Sequence, residues 1–325
     1  SKTAAGMMHL LLWSLILTAA SALKASWTMA PSGPSARSGA CAAADSAGAT
    51  FLFGGYVEAA DMSRSVTNDL WNFDGGEWRL VAPAGPDAPP ARLCATLAHT
   101  GDALVLMGGW DGSDGFFDDV WTFREGAWAR EDATLPGPRS RHAACTLPDG
   151  RVVAVTHREV FVYDPSDSSV TTQLTTGPQP SARGLHAMAC VSNSLVVTCG
   201  AAQSGEMTGD AYVLDCDTWT WRALSATGPE PRAAGAAAPL DDNRVLLVGG
   251  AARYDMLGLA PLDDVWCLDV TADTWTRVET NAGFGPRNAH VLCRLGDGGF
   301  VVNGGWKPFV STYDDTLRLE VASSS

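Results

Sequence analysis

The chain has 325 residues, of which 46% are hydrophobic and 18% are charged, so it can bury a core and is not intrinsically disordered. Its length exceeds that of a usual single-core domain and predicts two domains, a barrel-like domain or an array of repeats. Acidic residues outnumber basic ones by 36 to 22, and no Lys or Arg run concentrates positive charge, which argues against nucleic acid and anionic membrane surfaces as partners.

The first 25 residues differ from the rest. An apolar run extends from Leu10 to Leu17, and Ala20-Ser21-Ala22 follows it as an A-x-A cleavage site. This order is typical of a secretory signal peptide, and the run is short for a spanning helix, which needs about 20 residues. The pattern predicts a signal peptide over residues 1–25 and a protein of the secretory pathway or extracellular space. The alternatives are an uncleaved membrane anchor through residues 7–23 and an organellar presequence.

From residue 26 onward the sequence repeats with a period of roughly 50 residues. Each copy opens with an arginine; these are Arg37, Arg92, Arg139, Arg183, Arg232 and Arg287. An apolar run follows, and in four copies it ends in paired glycines, at Gly54-Gly55, Gly108-Gly109, Gly249-Gly250 and Gly304-Gly305. The fourth copy keeps only Gly200, and the third copy reads Val155-Thr156-His157 instead.

A loop of variable length then leads to a strand that opens with acidic residues, and a further strand carries a tryptophan. The acidic positions include Asp69, Asp118, Asp119, Asp210, Asp263, Asp264, Asp314 and Asp315. The tryptophans are Trp78, Trp128, Trp221 and Trp275, with Val170 as the weaker occupant of the third copy. Short apolar runs bounded by Gly, Pro, Asp or Asn, without helical periodicity, predict β-strands throughout.

The order of arginine, paired glycines, acidic strand and tryptophan resembles the kelch repeat over residues 26–325. The resemblance implies that each repeat forms one four-stranded blade of a β-propeller. The predicted fold is therefore all-β, a six-bladed kelch propeller. The sixth repeat ends before any tryptophan strand, whereas Trp27 precedes the first arginine as Trp275 precedes the sixth. The N-terminal strand is expected to complete the last blade and close the ring, which removes an open edge.

Most recurring residues are predicted to be structural. The paired glycines suit a backbone turn with positive φ, the tryptophans fill space between blades, and the acidic residues cap loop amides or pair with the repeat arginines. His142, His186 and His290 share one repeat position, where the resemblance implies a common structural histidine, so a metal site is not predicted. The eight cysteines are interpreted mainly as buried apolar residues, with one disulfide left open. No catalytic motif and no cofactor are predicted.

The loops after the paired glycines are expected to open on one face of the propeller and to carry its activity. The candidate binding residues there are Asp61, Arg64, Trp110, Asp111, Arg253, Tyr254, Trp306 and Lys307. Trp, Tyr and Arg are the residue types enriched at binding hot spots. The sequence therefore favours a non-enzymatic platform that binds a protein or peptide.

Two other functions remain open. One is a secreted carbohydrate-active kelch enzyme, similar to a sialate epimerase, which would need acidic and arginine side chains converging over the channel mouth. The other is a structural subunit of a membrane-associated assembly, which requires that residues 7–23 are retained.

Overall fold

The computed structural model describes residues 23–59, 61, 63–254, 258–308 and 310–322. The predicted leader, with its apolar run Leu10–Leu17, thus lies almost entirely outside the described residues. Every regular element in these ranges is a β-strand. None of the described residues belongs to a helix that is long and apolar enough to cross a membrane.

The strands form six four-stranded blades, one for each predicted repeat. The chain enters with β1 (Lys24–Met29) and β2 (Arg37–Ser38). Blade 1 is β3 (Cys41–Ala44), β4 (Thr50–Glu58), β5 (Arg64–Phe73) and β6 (Trp78–Ala82). Blade 2 is β7 (Thr96–His99), β8 (Leu104–Trp110), β9 (Phe116–Arg124) and β10 (Ala127–Thr134). Blade 3 is β11 (Ala143–Thr146), β12 (Val152–Thr156), β13 (Glu159–Asp164) and β14 (Ser169–Gln173).

The second half of the ring repeats this plan and adds two short hairpins. Blade 4 is β15 (Ala187–Val191), β16 (Ser194–Thr198), β17 (Ala211–Asp215) and β18 (Thr220–Ala223). Blade 5 contains β19 (Ala236–Pro239) and β20 (Arg244–Val248), the hairpin β21 (Ala251–Tyr254) and β22 (Gly258–Pro261), then β23 (Val265–Asp269) and β24 (Thr274–Thr280). Blade 6 contains β25 (Val291–Arg294) and β26 (Phe300–Asn303), the hairpin β27 (Trp306–Lys307) and β28 (Ser311–Thr312), then β29 (Thr316–Val321).

The first strand completes the last blade, which confirms the predicted closure. β1 pairs antiparallel with β29, from Ala25 opposite Val321 to Met29 opposite Leu317. Lys24 and Ala25 also pair in parallel with the end of β24, so blades 5 and 6 share one eight-stranded sheet. The propeller therefore starts at Lys24, inside the segment assigned to the leader from sequence.

A closed ring of six main-chain hydrogen bonds joins the blades around the channel. The residue two positions after each repeat arginine donates its N–H to the carbonyl of the equivalent residue in the preceding blade, at 2.8 to 3.0 Å. The six residues are Gly39, Cys94, Arg141, Leu185, Ala234 and Ala289. All six have left-handed φ angles, between 52° and 64°. The ring lies at the mouth of the channel on the side that carries the loops after the second strands, called the loop face below.

The repeat arginines explain the sequence pattern physically. In blade 1, Arg37 donates through Nη1 to the carbonyl of Gly54 at 3.0 Å and holds both carboxylate oxygens of Asp69 at 2.9 Å. Although burial opposes ionisation, these contacts keep the pKa of Asp69 below its ordinary value. A Cβ on Gly54 would lie 2.6 Å from the carbonyl oxygen of Arg92 in the next blade, so this position requires glycine.

An ion pair between a buried arginine and an aspartate recurs in five blades, which confirms the predicted pairing of acidic residues with the repeat arginines. The pairs are Arg37–Asp69, Arg92–Asp119, Arg183–Asp210, Arg232–Asp264 and Arg287–Asp315. Blade 3 is the exception, because β12 and β13 are joined directly by the turn His157-Arg158 and no acidic loop residue is available. Its Arg139 contacts the exposed Glu159 instead, at 2.7 Å.

Two details of the prediction are corrected. The pairs Gly54-Gly55 and Gly108-Gly109 lie inside β4 and β8, at irregularities in the strand register, because those strands continue into long hairpins on the loop face. The first strands are also expected from sequence to carry Cys41, Cys94, Cys145, Cys190 and Cys293, but Cys94 precedes β7 because it takes the left-handed ring position. All eight cysteines are free thiols.

Candidate functional site

A pocket on the loop face, called the blade 1 pocket, lies above blade 1 between the hairpins of blades 6 and 2. Its volume is about 270 Å³, and its walls include Tyr56, Arg64, Leu93, Trp110, Trp306 and Thr312. Three predicted binding residues, Arg64, Trp110 and Trp306, thus come together from distant parts of the chain. They meet because ring closure places blades 6, 1 and 2 side by side.

Contacts between the hairpins hold the walls of this pocket. The indole of Trp110 donates Nε1–H to the carbonyl of Ser113 at 2.8 Å and stacks on Phe116, with ring centroids 6.2 Å apart. Glu58 accepts hydrogen bonds from Arg64 at 2.8 Å and from the Thr312 hydroxyl at 3.3 Å, which links blade 1 to blade 6. The pocket is therefore a partly preformed cleft with aromatic walls and one arginine.

The other predicted site residues lie outside the blade 1 pocket. Asp61 accepts the N–H of Ser63 at 2.9 Å, and Asp111 accepts the N–H of Ser113 at 2.7 Å, so both carboxylates shape turns. These hydrogen bonds lower the pKa of each carboxyl. Arg253 donates to the carbonyl of Gly205 at 3.2 Å and ties blade 5 to blade 4.

The remaining two predicted residues are placed by their strands. Tyr254 lies at the end of β21 opposite Gly258, and Lys307 lies in β27 opposite Ser311. Sequence reasoning did not select Tyr56 and Leu93, which also line the blade 1 pocket. Tyr56 directly follows a glycine pair, so its position in the repeat could have indicated it.

Exposed apolar side chains mark the rim of the loop face. Phe116 in blade 2 is 51% exposed, Leu259 in the blade 5 hairpin is 41% exposed, and Val310 in the blade 6 loop is 67% exposed. Each lies in or next to a loop or hairpin of the loop face rather than on an outer strand of a blade. Of the three, Phe116 and Val310 lie on the hairpin loops of blades 2 and 6, which flank the blade 1 pocket.

The channel mouth is small and mostly uncharged. Its lining includes the six ring residues, of which Arg141 alone is charged, and no carboxylate contributes to it. The acidic groups that the sugar-enzyme alternative requires at this place are thus not among the lining residues.

The three repeat histidines lie just below the ring and are buried. Burial lowers the pKa of His142 to about 4 and those of His186 and His290 to about 3, so they are neutral at ordinary pH. The Cβ position of Gly108 lies 3.0 Å from the His142 ring, which shows that this histidine packs against the preceding blade. Within the described ranges, no three His, Cys, Asp or Glu side chains are grouped as metal ligands.

Six four-stranded blades, buried Arg–Asp pairs and positive-φ glycines define a kelch-type β-propeller, and comparison with known proteins agrees. The KLHDC2/KLHL20/DRC7 Kelch-repeats domain model matches residues 148–325, more than half of the chain. The chain therefore belongs to the kelch-repeat family. The family indicates a protein-interaction platform.

Individual relatives support this assignment. The chain is 28% identical over 310 residues to Adagio-like protein 1 of Oryza sativa subsp. japonica, an alignment covering 84% of this chain and 48% of that protein. It is 25% identical over 318 residues to Kelch domain-containing protein 2 of Bos taurus, covering 84% of this chain and 76% of that protein. The chain thus spans about half the length of the Adagio-like relative.

A solved structure shows the same fold. The structure of YjhT aligns with a TM-score of 0.71 and 15% identity, covering 91% of this chain and all of that one. At this identity the likeness is one of fold alone.

Proposed function

We propose that this propeller binds a protein or peptide partner on its loop face, with the blade 1 pocket as the main anchoring point. The observation that carries the proposal is the convergence of Arg64, Trp110 and Trp306 on one cleft. Tryptophan and arginine are enriched among the few residues that carry most of the binding energy at protein interfaces. The exposed tips of Phe116 and Val310 would enlarge the contact around this anchor.

The walls of the pocket suit an inserted apolar side chain. Trp110 and Trp306 are half-buried, so part of each indole is held by the protein and part faces the cleft. Arg64 remains 44% exposed beside Glu58, and its guanidinium can donate a further hydrogen bond to an acceptor group of the partner. The arrangement fixes orientation with few polar groups, as small binding clefts generally do.

Affinity capture with quantitative mass spectrometry tests the proposal. Wild type, Trp306→Ala and Arg64→Ala are compared with Leu174→Ala, a control whose side chain is 85% exposed beyond the outer strand of blade 3. A genuine partner is retained by the control and lost from both pocket variants. In a direct titration, Trp306→Ala should weaken that partner by about 1 to 3 kcal/mol, with an unchanged melting temperature.

Two results would contradict the proposal. If every captured protein is retained by Trp306→Ala and Arg64→Ala alike, the pocket is not the anchor. If a glycan array gives binding that Trp306→Ala abolishes while no protein depends on Trp306, the carbohydrate alternative is favoured instead.

A further inference from the structure

A second depression on the loop face, called the blade 3 groove, lies where blade 3 has no loop. The short turn His157-Arg158 leaves a gap between Phe116 of blade 2 and Gln203 of blade 4. The groove has a volume of about 320 Å³, and Arg139, Arg141 and Leu185 also contribute to its walls. It shares no lining residue with the blade 1 pocket.

The charge of the blade 3 groove is opposite to that of the chain. The chain carries a net charge of −14, yet the groove is lined by two arginines and a histidine and by no Asp or Glu. Arg158 is exposed on the adjoining turn. Arg141 and Arg158 form no ion pair with any residue that the structure describes, whereas Arg139 contacts the exposed Glu159. Two guanidinium groups on this surface are therefore available to an anionic partner.

The exceptional position of Arg139 has a structural cause. In the other five blades the repeat arginine is almost fully buried, and its Nε donates to the carbonyl two residues earlier. Arg139 lacks a buried acidic partner, its Nε has no hydrogen-bond acceptor, and its side chain is 25% exposed. Because blade 3 lacks a loop at this place, its repeat arginine has no buried ion pair and lies in the wall of the groove.

The backbone beneath the groove is held by hydrogen bonds between blades. Arg141 occupies one of the six ring positions, where its N–H and C=O are both engaged in hydrogen bonds to neighbouring blades. Its side chain lines both the groove and the channel mouth. A guanidinium on a fixed backbone position pays less ordering entropy when it binds a carboxylate in bidentate geometry.

We propose that the blade 3 groove binds an acidic peptide segment of a partner protein. A carboxylate of the segment faces Arg141 and Arg158, and a neighbouring apolar side chain packs on Phe116 and Leu185. The charge of the groove selects the carboxylate, and its apolar wall favours a peptide over a small anion. The arginines that select the carboxylate do not line the blade 1 pocket, so the choice of ligand does not depend on that site. Phe116, which stacks on Trp110, is shared with the contact proposed around that pocket.

Peptide selection provides the test. A library of random short peptides, displayed internally so that no chain terminus is free, is selected in parallel on wild type, on an Arg141→Gln/Arg158→Gln double variant and on Arg294→Gln. Arg294 is an exposed arginine at the opposite mouth of the channel, so Arg294→Gln removes one positive charge far from the groove and serves as the control. Peptides with Asp or Glu beside an apolar residue should be enriched on wild type and Arg294→Gln but not on the double variant.

Direct titration of one enriched peptide then completes the test. Each single substitution, Arg141→Gln or Arg158→Gln, should weaken it roughly three- to tenfold, and added salt should weaken wild-type binding in the same direction. Trp306→Ala should leave its affinity unchanged, which separates this site from the blade 1 pocket. The melting temperatures of the variants should match that of wild type.

Four outcomes would overturn the proposal. Enrichment of peptides without acidic residues would mean that charge does not select the ligand. Equal losses of peptide affinity in Arg294→Gln and in Arg141→Gln would indicate a general electrostatic attraction rather than a binding site. Unchanged affinity in both groove variants, or loss of binding in Trp306→Ala, would place the acidic peptide elsewhere.

Discussion

Replacement of Trp27 by alanine tests how the ring is closed. The indole is only 4% exposed and stacks on Phe284 with centroids 4.7 Å apart, at the junction of blades 5 and 6. The main chain of Trp27 also exchanges two hydrogen bonds with the side chain of Asn281, at 2.6 and 3.1 Å, and these survive the substitution. The variant therefore removes packing alone. Loss of a buried tryptophan reduces the free energy of unfolding by about 3 to 5 kcal/mol.

A loss of that size is a large part of a total stability of about 5 to 15 kcal/mol. It should appear in urea unfolding followed by circular dichroism. Met29→Ala provides the matched control, because Met29 lies on the same strand but is 71% exposed, and its substitution should change stability by less than about 0.5 kcal/mol. Trp275 is only half-buried, so Trp275→Ala should fall between the two.

The closure would be refuted if Trp27→Ala were no less stable than Met29→Ala. In that case β1 would contribute little to the ring, and blade 6 would tolerate an open edge. A loss in Met29→Ala as large as that in Trp27→Ala would instead show that the strand is needed for a reason other than the buried indole.

Three further predictions concern charge and processing. Burial, with a contribution from Arg183, lowers the pKa of His186 to about 3, so the unfolded chain binds more protons than the folded one below about pH 6.5. The free energy of unfolding should therefore fall between pH 6.5 and 4, by about 1 to 2 kcal/mol per buried histidine at pH 5. A flat pH profile of urea unfolding would contradict this. Asp119→Ala leaves the buried Arg92 guanidinium without its acidic partner and should lower the free energy of unfolding by about 3 to 5 kcal/mol. The carboxylate of Glu159 is 48% exposed, so Glu159→Ala should lower it by less than about 1 kcal/mol. Equal losses in the two variants would contradict this distinction. Terminal sequencing of native protein should find the mature N-terminus between Ala22 and Lys24, because β1 begins at Lys24. An intact apolar run would instead favour the membrane anchor.

The periodic part of the fold could be predicted from sequence because each signature residue has one dominant physical role. Gly54 must be glycine since the carbonyl of Arg92 leaves no room for a side chain. Arg37 must meet an acid because its side chain is buried. The same reasoning identified the strand that contains Trp27 as the missing fourth strand of blade 6, since the blade would otherwise have an unpaired edge.

The ring position was not predictable in the same way. Of its six residues only Gly39 is a glycine, so left-handed backbone at Cys94, Arg141 and Leu185 leaves no compositional signal. These angles follow from hydrogen bonds between blades, which depend on contacts far apart in the chain. Sequence reasoning therefore missed Arg141 as the single charged residue of the ring.

The candidate site was predictable only in part. Residue type led to the selection of Arg64, Trp110 and Trp306, which line one pocket, but it does not reveal whether a loop carboxylate faces solvent or its own turn. Asp61 and Asp111 accept backbone N–H groups within their own loops, a role that depends on local loop geometry. The exposure of Arg139 likewise depends on the short turn between β12 and β13, because in the other blades a longer loop or hairpin at this place supplies the aspartate partner.

The ring of six amides also has a kinetic consequence. All six N–H groups point the same way around the circle, so none can lose its acceptor unless two neighbouring blades separate. Amide protons of this kind exchange with solvent deuterium only through an opening that breaks the circle. The amide of Gly39, which donates to the carbonyl of Ala289, joins the first blade to the last and therefore reports that opening. Its exchange rate would measure how often the two blades separate, without any label and without perturbing the loops above.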